Sequence, residues 1–220
     1  MLSRSSPTRP AGSRSAGPPG ACGSCRAARL RVRRTSCRRR PRKGRDWPWH
    51  PGLVHGRIPV RQAWGWLFMP DGRVVVVIDP ADPLAVLPGG TVETTDASPE
   101  ATLVREAAEE AQLTLPLGRI ERLGWVSDAT DAGYGGIGEC ARLRLAAPIT
   151  AVGPSATDPA SGRRYARLLA TPEQAAALLG WGDQGYQQAA QAARLAHERW
   201  DIPLAARSPI TEIPTEGIGR

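Results

Sequence analysis

The stretch 87-LPGGTVETTDASPEATLVREAAEEAQL-113 decides how the chain is read. Its second half has the marks of a helix start: Ser98 as N-cap, Pro99 at the first helical position and Glu100 in the first turn, where acids are favoured. At about 100° per residue, Val104, Ala107, Ala108 and Ala111 share one side of that helix, and Glu106, Glu109 and Glu110 share the other. Three carboxylates at i, i+3 and i+4 repel one another and weaken an isolated helix. A hard divalent cation converts that repulsion into ligation, because Mg²⁺ and Mn²⁺ prefer oxygen ligands. Just upstream, Gly89-Gly90 reads as a bend where backbone approaches an ion or a phosphate with no Cβ in the way.

Taken alone, Arg105-Glu-Ala-Ala-Glu-Glu110 is ordinary solvated helix, since Ala and Glu are good helix formers. The order of its flanks gives it meaning: a VVVVI run, a short loop, LPGG, then the capped acidic helix. In that order the stretch resembles the Nudix box, G, five residues, E, seven residues, R-E-U-x-E-E-x-G-U, with U a bulky apolar residue. Gly90 matches the opening glycine, Arg105-Glu106 and Glu109-Glu110 match the R-E and E-E pairs, and Leu113 matches the closing apolar position. Asp96 stands in place of the first glutamate, the loop after it is one residue longer, Ala107 is a small apolar residue, and Gln112 replaces the glycine. A glutamine in the left-handed conformation that such a glycine supplies costs about 1 kcal/mol.

The resemblance implies an α/β fold, a Nudix-type α/β/α sandwich with a mixed β-sheet. It also implies a Mg²⁺-dependent (or Mn²⁺-dependent) hydrolase of a nucleoside diphosphate linked to another moiety. Glu106, Glu109, Glu110 and the Gly89 carbonyl would hold metal. Glu109 and Glu110 would be catalytic, one of them the preferred base, and Arg105 would orient a box carboxylate through a forked ion pair. Asp96 would pair with Arg105, with Glu93 as a substitute. Later-loop acids Asp128, Asp131, Glu139 and Asp158 are further base candidates, though surface acids are the norm. For substrate, Arg61, Trp66 and Tyr134 are candidates, with Arg57, Arg73 and Trp125 beside them. Aromatics at strand positions are more often core. A Nudix-fold module that senses a nucleotide or sugar without hydrolysing it is the alternative.

Charge divides the chain. Residues 1–45 hold fourteen of the 29 Lys and Arg and none of the 21 Asp and Glu, which leaves 15 basic against 21 acidic groups, net −6, in the rest. The basic excess therefore belongs to the N-terminal stretch, and a mildly acidic body argues against nucleic acid as partner. Rich in Arg, Ser, Pro, Gly and Ala, residues 1–45 lack the hydrophobicity to order and read as a disordered basic tail. An upstream translation from a mis-assigned start, an inert linker, a transit peptide and a nucleic-acid arm are the readings weighed, in that order of preference. No run approaches the length needed to cross a membrane. Cys22, Cys25 and Cys37 lie in this tail and only Cys140 beyond it, with no second pair at zinc-ligand spacing, which suits a reduced, cytoplasmic protein.

Residues 46–203 read as the domain. Trp47, Trp49, His50 and His55 form a lead-in suited to capping the core or shaping a homodimer contact. Strands are expected over 60–68 and 73–78 around a Pro70-Asp71-Gly72 turn, then a loop over 79–83 and an apolar step at 85–87. After the box, strands follow over 119–126, 139–145 and 164–169, separated by loops at 128–138 and 153–162. Thr171-Pro172-Glu173 starts a short helix to 179, and a longer one spans 183–200. Residues 204–220 read as an irregular tail.

Overall fold

The computed structural model describes residues 47–129 and 138–219. The tail 1–45, with its three cysteines, and Asp131 and Tyr134 lie outside the described residues.

The sheet is mixed. It is built from β1 (Trp49–Pro51), β2 (Val60–Phe68), β3 (Val74–Asp79), β4 (Asp82–Val86), β5 (Gly89–Thr91), β7 (Glu121–Asp128), β8 (Cys140–Pro148), β10 (Ala166–Ala170) and β11 (Thr211–Glu212). Along its main path the order is β1-β7-β8-β2-β3-β10-β11, with β4 on β3 and β5 on β2. Among the described residues only β2 and β8 run parallel, from Val60↔Ala141 to Phe68↔Pro148; the other pairings are antiparallel. A small second sheet pairs β6 (Leu113–Thr114) with β9 (Ala151–Val152).

Alternation along β2 sorts two cores. Ala63 and Leu67 join Val75, Val77, Leu143 and Leu145 under α1 (Pro99–Ala111), which contributes Leu103, Ala107 and Ala111. Trp66 and Phe68 join Val74, Val76, Leu123 and Ala146 on the other face, against α2 (Pro172–Leu179) and α3 (Gly182–Trp200). Helices on both faces of a mixed sheet make the expected α/β/α sandwich.

Several local expectations change. The buried stripe of α1 is Thr102, Leu103, Ala107 and Ala111, while Ala108 is exposed. Leu103 enters the core where Gly65 leaves room, since a Cβ at that glycine would lie 2.7 Å from the Leu103 side chain. The glycine pair is no bend: Gly89–Thr91 is a strand on β2, with Ala63↔Gly90 and Trp64↔Gly89. The loop after β3 is a tight hairpin into β4, with Asp79↔Asp82. The segment 204–220 is only partly irregular, because β11 pairs with β10, Ile213 is buried and Ile218 bridges to Val152. In the lead-in, His50 stacks on Trp125 at 4.3 Å and His55 meets the same ring edge-on, so these rings cover the core at β1.

Candidate active site

Two glycines and one helix face each other. On α1, Ser98 caps the N-terminus by accepting from the Ala101 N–H, and the helix ends at Gln112, which takes the left-handed conformation (φ 53°). Gln112 recovers part of the strain, because its Nε2 donates to the Glu109 carbonyl at 2.9 Å. Between these caps Glu106 and Glu110, one turn apart, point at β5. The Gly89 N–H donates to Glu110 Oε2 at 3.1 Å. Gly90 lies flat against Glu106, so close that a Cβ there would sit 2.3 Å from its carboxylate oxygen. Gly89 itself has φ 146° and faces the β2 backbone, where a Cβ would come within 2.2 Å of the Ala63 carbonyl oxygen. Glycine is thus required twice, for close approach.

The carboxylates are not on an open solvated face. Burial first, and then the charges of Glu106, Asp158 and Glu109, push the Glu110 carboxyl up to about 8 against the opposing Gly89 hydrogen bond. Burial also raises Glu106, with Arg105 opposing and Glu109 adding to the rise. Asp158, 5 % exposed, comes from the loop between β9 and β10 and adds its charge to both glutamates. The turn in which its carboxylate accepts from the Ser161 N–H holds it there. Of the later-loop acids, Asp128 is engaged by Arg142 at 2.5 Å and Glu139 accepts from Ser127, so Asp158 is the described one that faces the box.

Arg105 ties the loop to the helix. Its Nε and Nη2 donate to the two Asp96 oxygens at 3.2 and 3.1 Å, and Nη2 also reaches the Thr91 carbonyl at 3.1 Å. The extra loop residue is absorbed by a turn over 93–96, in which the Asp96 N–H donates to the Glu93 carbonyl and Asp96 Oδ2 accepts from the Glu93 N–H. The shorter side chain therefore reaches. Thr102, a residue the sequence did not single out, donates to Asp96 at 2.9 Å from the buried side of α1. The remaining nitrogen, Nη1, lies 3.0 Å from Glu106, 3.2 Å from Glu109 and 3.5 Å from Glu93.

The oxygen-only donor set of Glu106, Glu109, Glu110 and Asp158 fits a hard cation better than a soft one. Among the described residues no group of three or more His, Cys, Asp and Glu side chains converges closely enough to hold one. Arg105 Nη1 stands in part of that space as the counter-charge.

With this geometry in view, the family model described as the NUDIX domain matches residues 59–145. The chain carries a NUDIX domain. Its box glycines, β5 and α1 all fall inside the match. Among solved structures, a Bacillus subtilis pyrophosphohydrolase, BsRppH, aligns at 15 % identity over 71 % of this chain and 92 % of that one, with a TM-score of 0.52. That likeness shows a shared fold. A UDP-X diphosphatase aligns at 12 % identity over 61 % and 64 % with a TM-score of 0.43. A NUDIX hydrolase from Nitrosomonas europaea aligns at 16 % identity over 66 % and 95 %, also with a TM-score of 0.43. No curated protein matches.

The substrate candidates fare differently. Trp66 is fully buried under α2 and α3, on the face away from the NUDIX helix, so it is core and not a stacking platform. Trp125 is likewise buried, beneath His50. Arg73 is paired with Asp71 at 2.8 Å. Arg61 lies half-buried on β2 beside the Val92 N–H, which its carbonyl accepts, and Arg57 is exposed. Among the described residues no helix is long and apolar enough to cross a membrane.

Proposed function

We propose that this chain hydrolyses a diphosphate linkage in a nucleotide-type substrate, a nucleoside diphosphate joined to another group, with Mg²⁺ or Mn²⁺. One observation carries the reading. Glu110 is a buried carboxylate whose neighbours are three further acids and whose hydrogen bond is a single backbone N–H. A cluster of this kind is unfavourable without a cation and favourable with one.

In this reading Glu106, Glu109, Glu110 and the Gly89 carbonyl hold the metal. A bound divalent cation supplies neutralisation of the diphosphate oxygens and a water of lowered pKa. Arg105 positions Glu106 and Glu109, and Asp96 holds Arg105 by the fork. The attacking water gives its proton to Glu109 or Glu110. Burial above all, with the charges of Glu106 and Asp158 adding to it, raises the proton affinity of Glu110 and brings that carboxyl toward the range where a general base works at neutral pH.

A second reading, a module that binds such a ligand without turning it over, is favoured by Arg105 Nη1 occupying both Glu106 and Glu109. The two part in one experiment. Nucleoside triphosphates, ADP-ribose, dinucleotide polyphosphates and sugar nucleotides are incubated with and without Mg²⁺, and released phosphate and nucleoside monophosphate are measured. Hydrolysis that chelator abolishes, and that falls about 100-fold or more in Glu109→Gln and Glu110→Gln with the fold intact, supports the hydrolase. Ligand-dependent thermal stabilisation with no hydrolysis of any substrate supports the binding module. Full activity in both variants removes the metal assignment.

A further inference from the structure

On the sheet face opposite α1, a buried arginine has no anion. Arg144 on β8 is 4 % exposed, and no carboxylate among the described residues pairs with it. Its Nη1 reaches only carbonyls of its own strand, Leu143 at 3.2 Å and Arg142 at 3.4 Å, and its Nε has no protein acceptor. The nearest charge is like-signed, because Arg142 stands beside it, and burial and that charge together push Arg144 down to about 9. It still carries its proton at neutral pH. Arg142 is already matched by Asp128 and Gln62, each at 2.5 Å. The excess positive charge of the pair is therefore lodged on Arg144.

One indole covers this cation and others lie on the neighbouring strands. Trp181 lies over the guanidinium at 4.8 Å, and Trp64 on β2 is its cross-strand neighbour. On the other side its β7 neighbour is Gly124, where the Trp49 ring fills the place a side chain would take. Trp47 covers Arg142 at 4.3 Å. Indole faces offset part of the desolvation of a cation, but a buried unpaired charge remains unfavourable.

Trp181 stands at the corner between α2 and α3. It sits between Gly180 (φ 67°) and Gly182 (φ 61°), both left-handed and both with open space where a Cβ would be. As the N-cap position of α3 it makes no side-chain capping bond. Its ring makes no hydrogen bond among the described residues, so displacing it to uncover Arg144 costs its packing and its cation–π contact alone.

We propose that Arg144 and its tryptophans form a second ligand site, separate from the box, that takes a nucleoside monophosphate. The guanidinium fork binds the phosphate and the indoles of Trp181 and Trp64 stack the base. This does not rest on the hydrolase reading.

The test uses the full chain in chelator, so that the box holds no metal, with AMP, inorganic phosphate and adenosine as probes. AMP is expected to raise the melting temperature and change tryptophan fluorescence, and to bind more tightly than either fragment. In Arg144→Met affinity for AMP falls about 10- to 100-fold, the scale of a lost charge-assisted hydrogen bond. The ligand-free melting temperature of that variant is unchanged or higher, since an unpaired buried charge has been replaced by an apolar chain. Trp181→Ala weakens AMP and leaves inorganic phosphate unaffected. Glu110→Gln binds AMP as the unaltered protein does. No AMP response in the unaltered protein, a response undiminished in Arg144→Met, or one lost in Glu110→Gln overturns the site. A fall of several degrees in ligand-free Arg144→Met also overturns it, by showing that the cation serves the fold.

Discussion

Arg105 and Asp96 meet fork to fork, Nε on Oδ1 and Nη2 on Oδ2, across a loop that is one residue longer than the family pattern. The pair is half-buried, with the Asp96 side chain 7 % exposed, and is joined by Thr102. Asp96→Ala leaves the arginine without its planar partner and frees the 93–96 turn. The expected loss is about 1.5–3 kcal/mol in urea unfolding, with Asp96→Glu less damaging than Asp96→Ala. Equal losses in the two variants would show that the turn, and not the fork, carries the energy.

Stability should depend on pH in two opposite ways. The Asp96 carboxyl is held down to about 2 from 3.8, first by Arg105, so its contribution is full above 3.8 and is lost as pH falls through 2. Glu110 is raised from 4.5 to about 8, so the folded chain keeps a proton that the unfolded chain gives up. Its contribution is present below 4.5 and is lost as pH rises through 8. Chelator-treated protein should melt lower at pH 8 than at pH 5, and Glu110→Gln should remove most of that decline. A decline of the same size in the variant would assign it to other groups.

Metal binding should follow the same titration with the opposite benefit. A cation displaces the Glu110 proton, so stabilisation by Mg²⁺ should grow from pH 5 to pH 8. Melting curves at fixed Mg²⁺ across that range check it, and a pH-independent shift would place the cation elsewhere.

The alterations of the box are visible in the sequence, but the repair of the Asp96 loop is not. Asp96 reaches because the 93–96 turn and Thr102 bring it in, and neither can be read without tertiary context. Periodicity misplaces the faces of α1 because Leu103, Val104 and scattered alanines give little contrast around the helix, so a rotation by one residue goes unnoticed. The signal that would have fixed it was Gly65, a glycine inside a strand otherwise rich in bulky residues, which marks a close approach. Trp66 looked available because β2 is covered on both faces, where alternation no longer separates core from surface. Asp158 was one of four loop acids with nothing local to distinguish it. The caps of α1 and α2 were legible because they are local chemistry, and Thr171 and Gln174 form the full reciprocal box.

Gln112 offers a measurable balance. Gln112→Gly relieves about 1 kcal/mol of left-handed strain but loses the bond to the Glu109 carbonyl, so it should be near neutral. Gln112→Ala keeps the strain and loses the bond, and should be about 1 kcal/mol less stable than Gln112→Gly by urea unfolding.

Arg167 binds the box helix to the chain end. Its Nη1 donates to the Ala111 and Gly153 carbonyls at 3.0 and 2.8 Å, and its Nη2 to the Pro214 carbonyl at 2.8 Å. Deletion of residues 209–220 removes β11, buried Ile213 and that last acceptor. A loss of about 2–5 kcal/mol is expected, read from the unfolding midpoint. A midpoint that does not move would mean the segment is an appendage.

The parallel pairing of β2 with β8 sets the order in which the molecule can assemble. Gln62 and Arg142, partners across that pair, are 80 positions apart in the chain. During synthesis β2 emerges long before its central partner, and α1 is complete before Leu143 and Leu145, which share its core, have been made. Closing so long a loop is slow. The nascent chain therefore waits with an unpaired, tryptophan-rich strand edge until Pro148 is out, and that interval is when a chaperone would matter most.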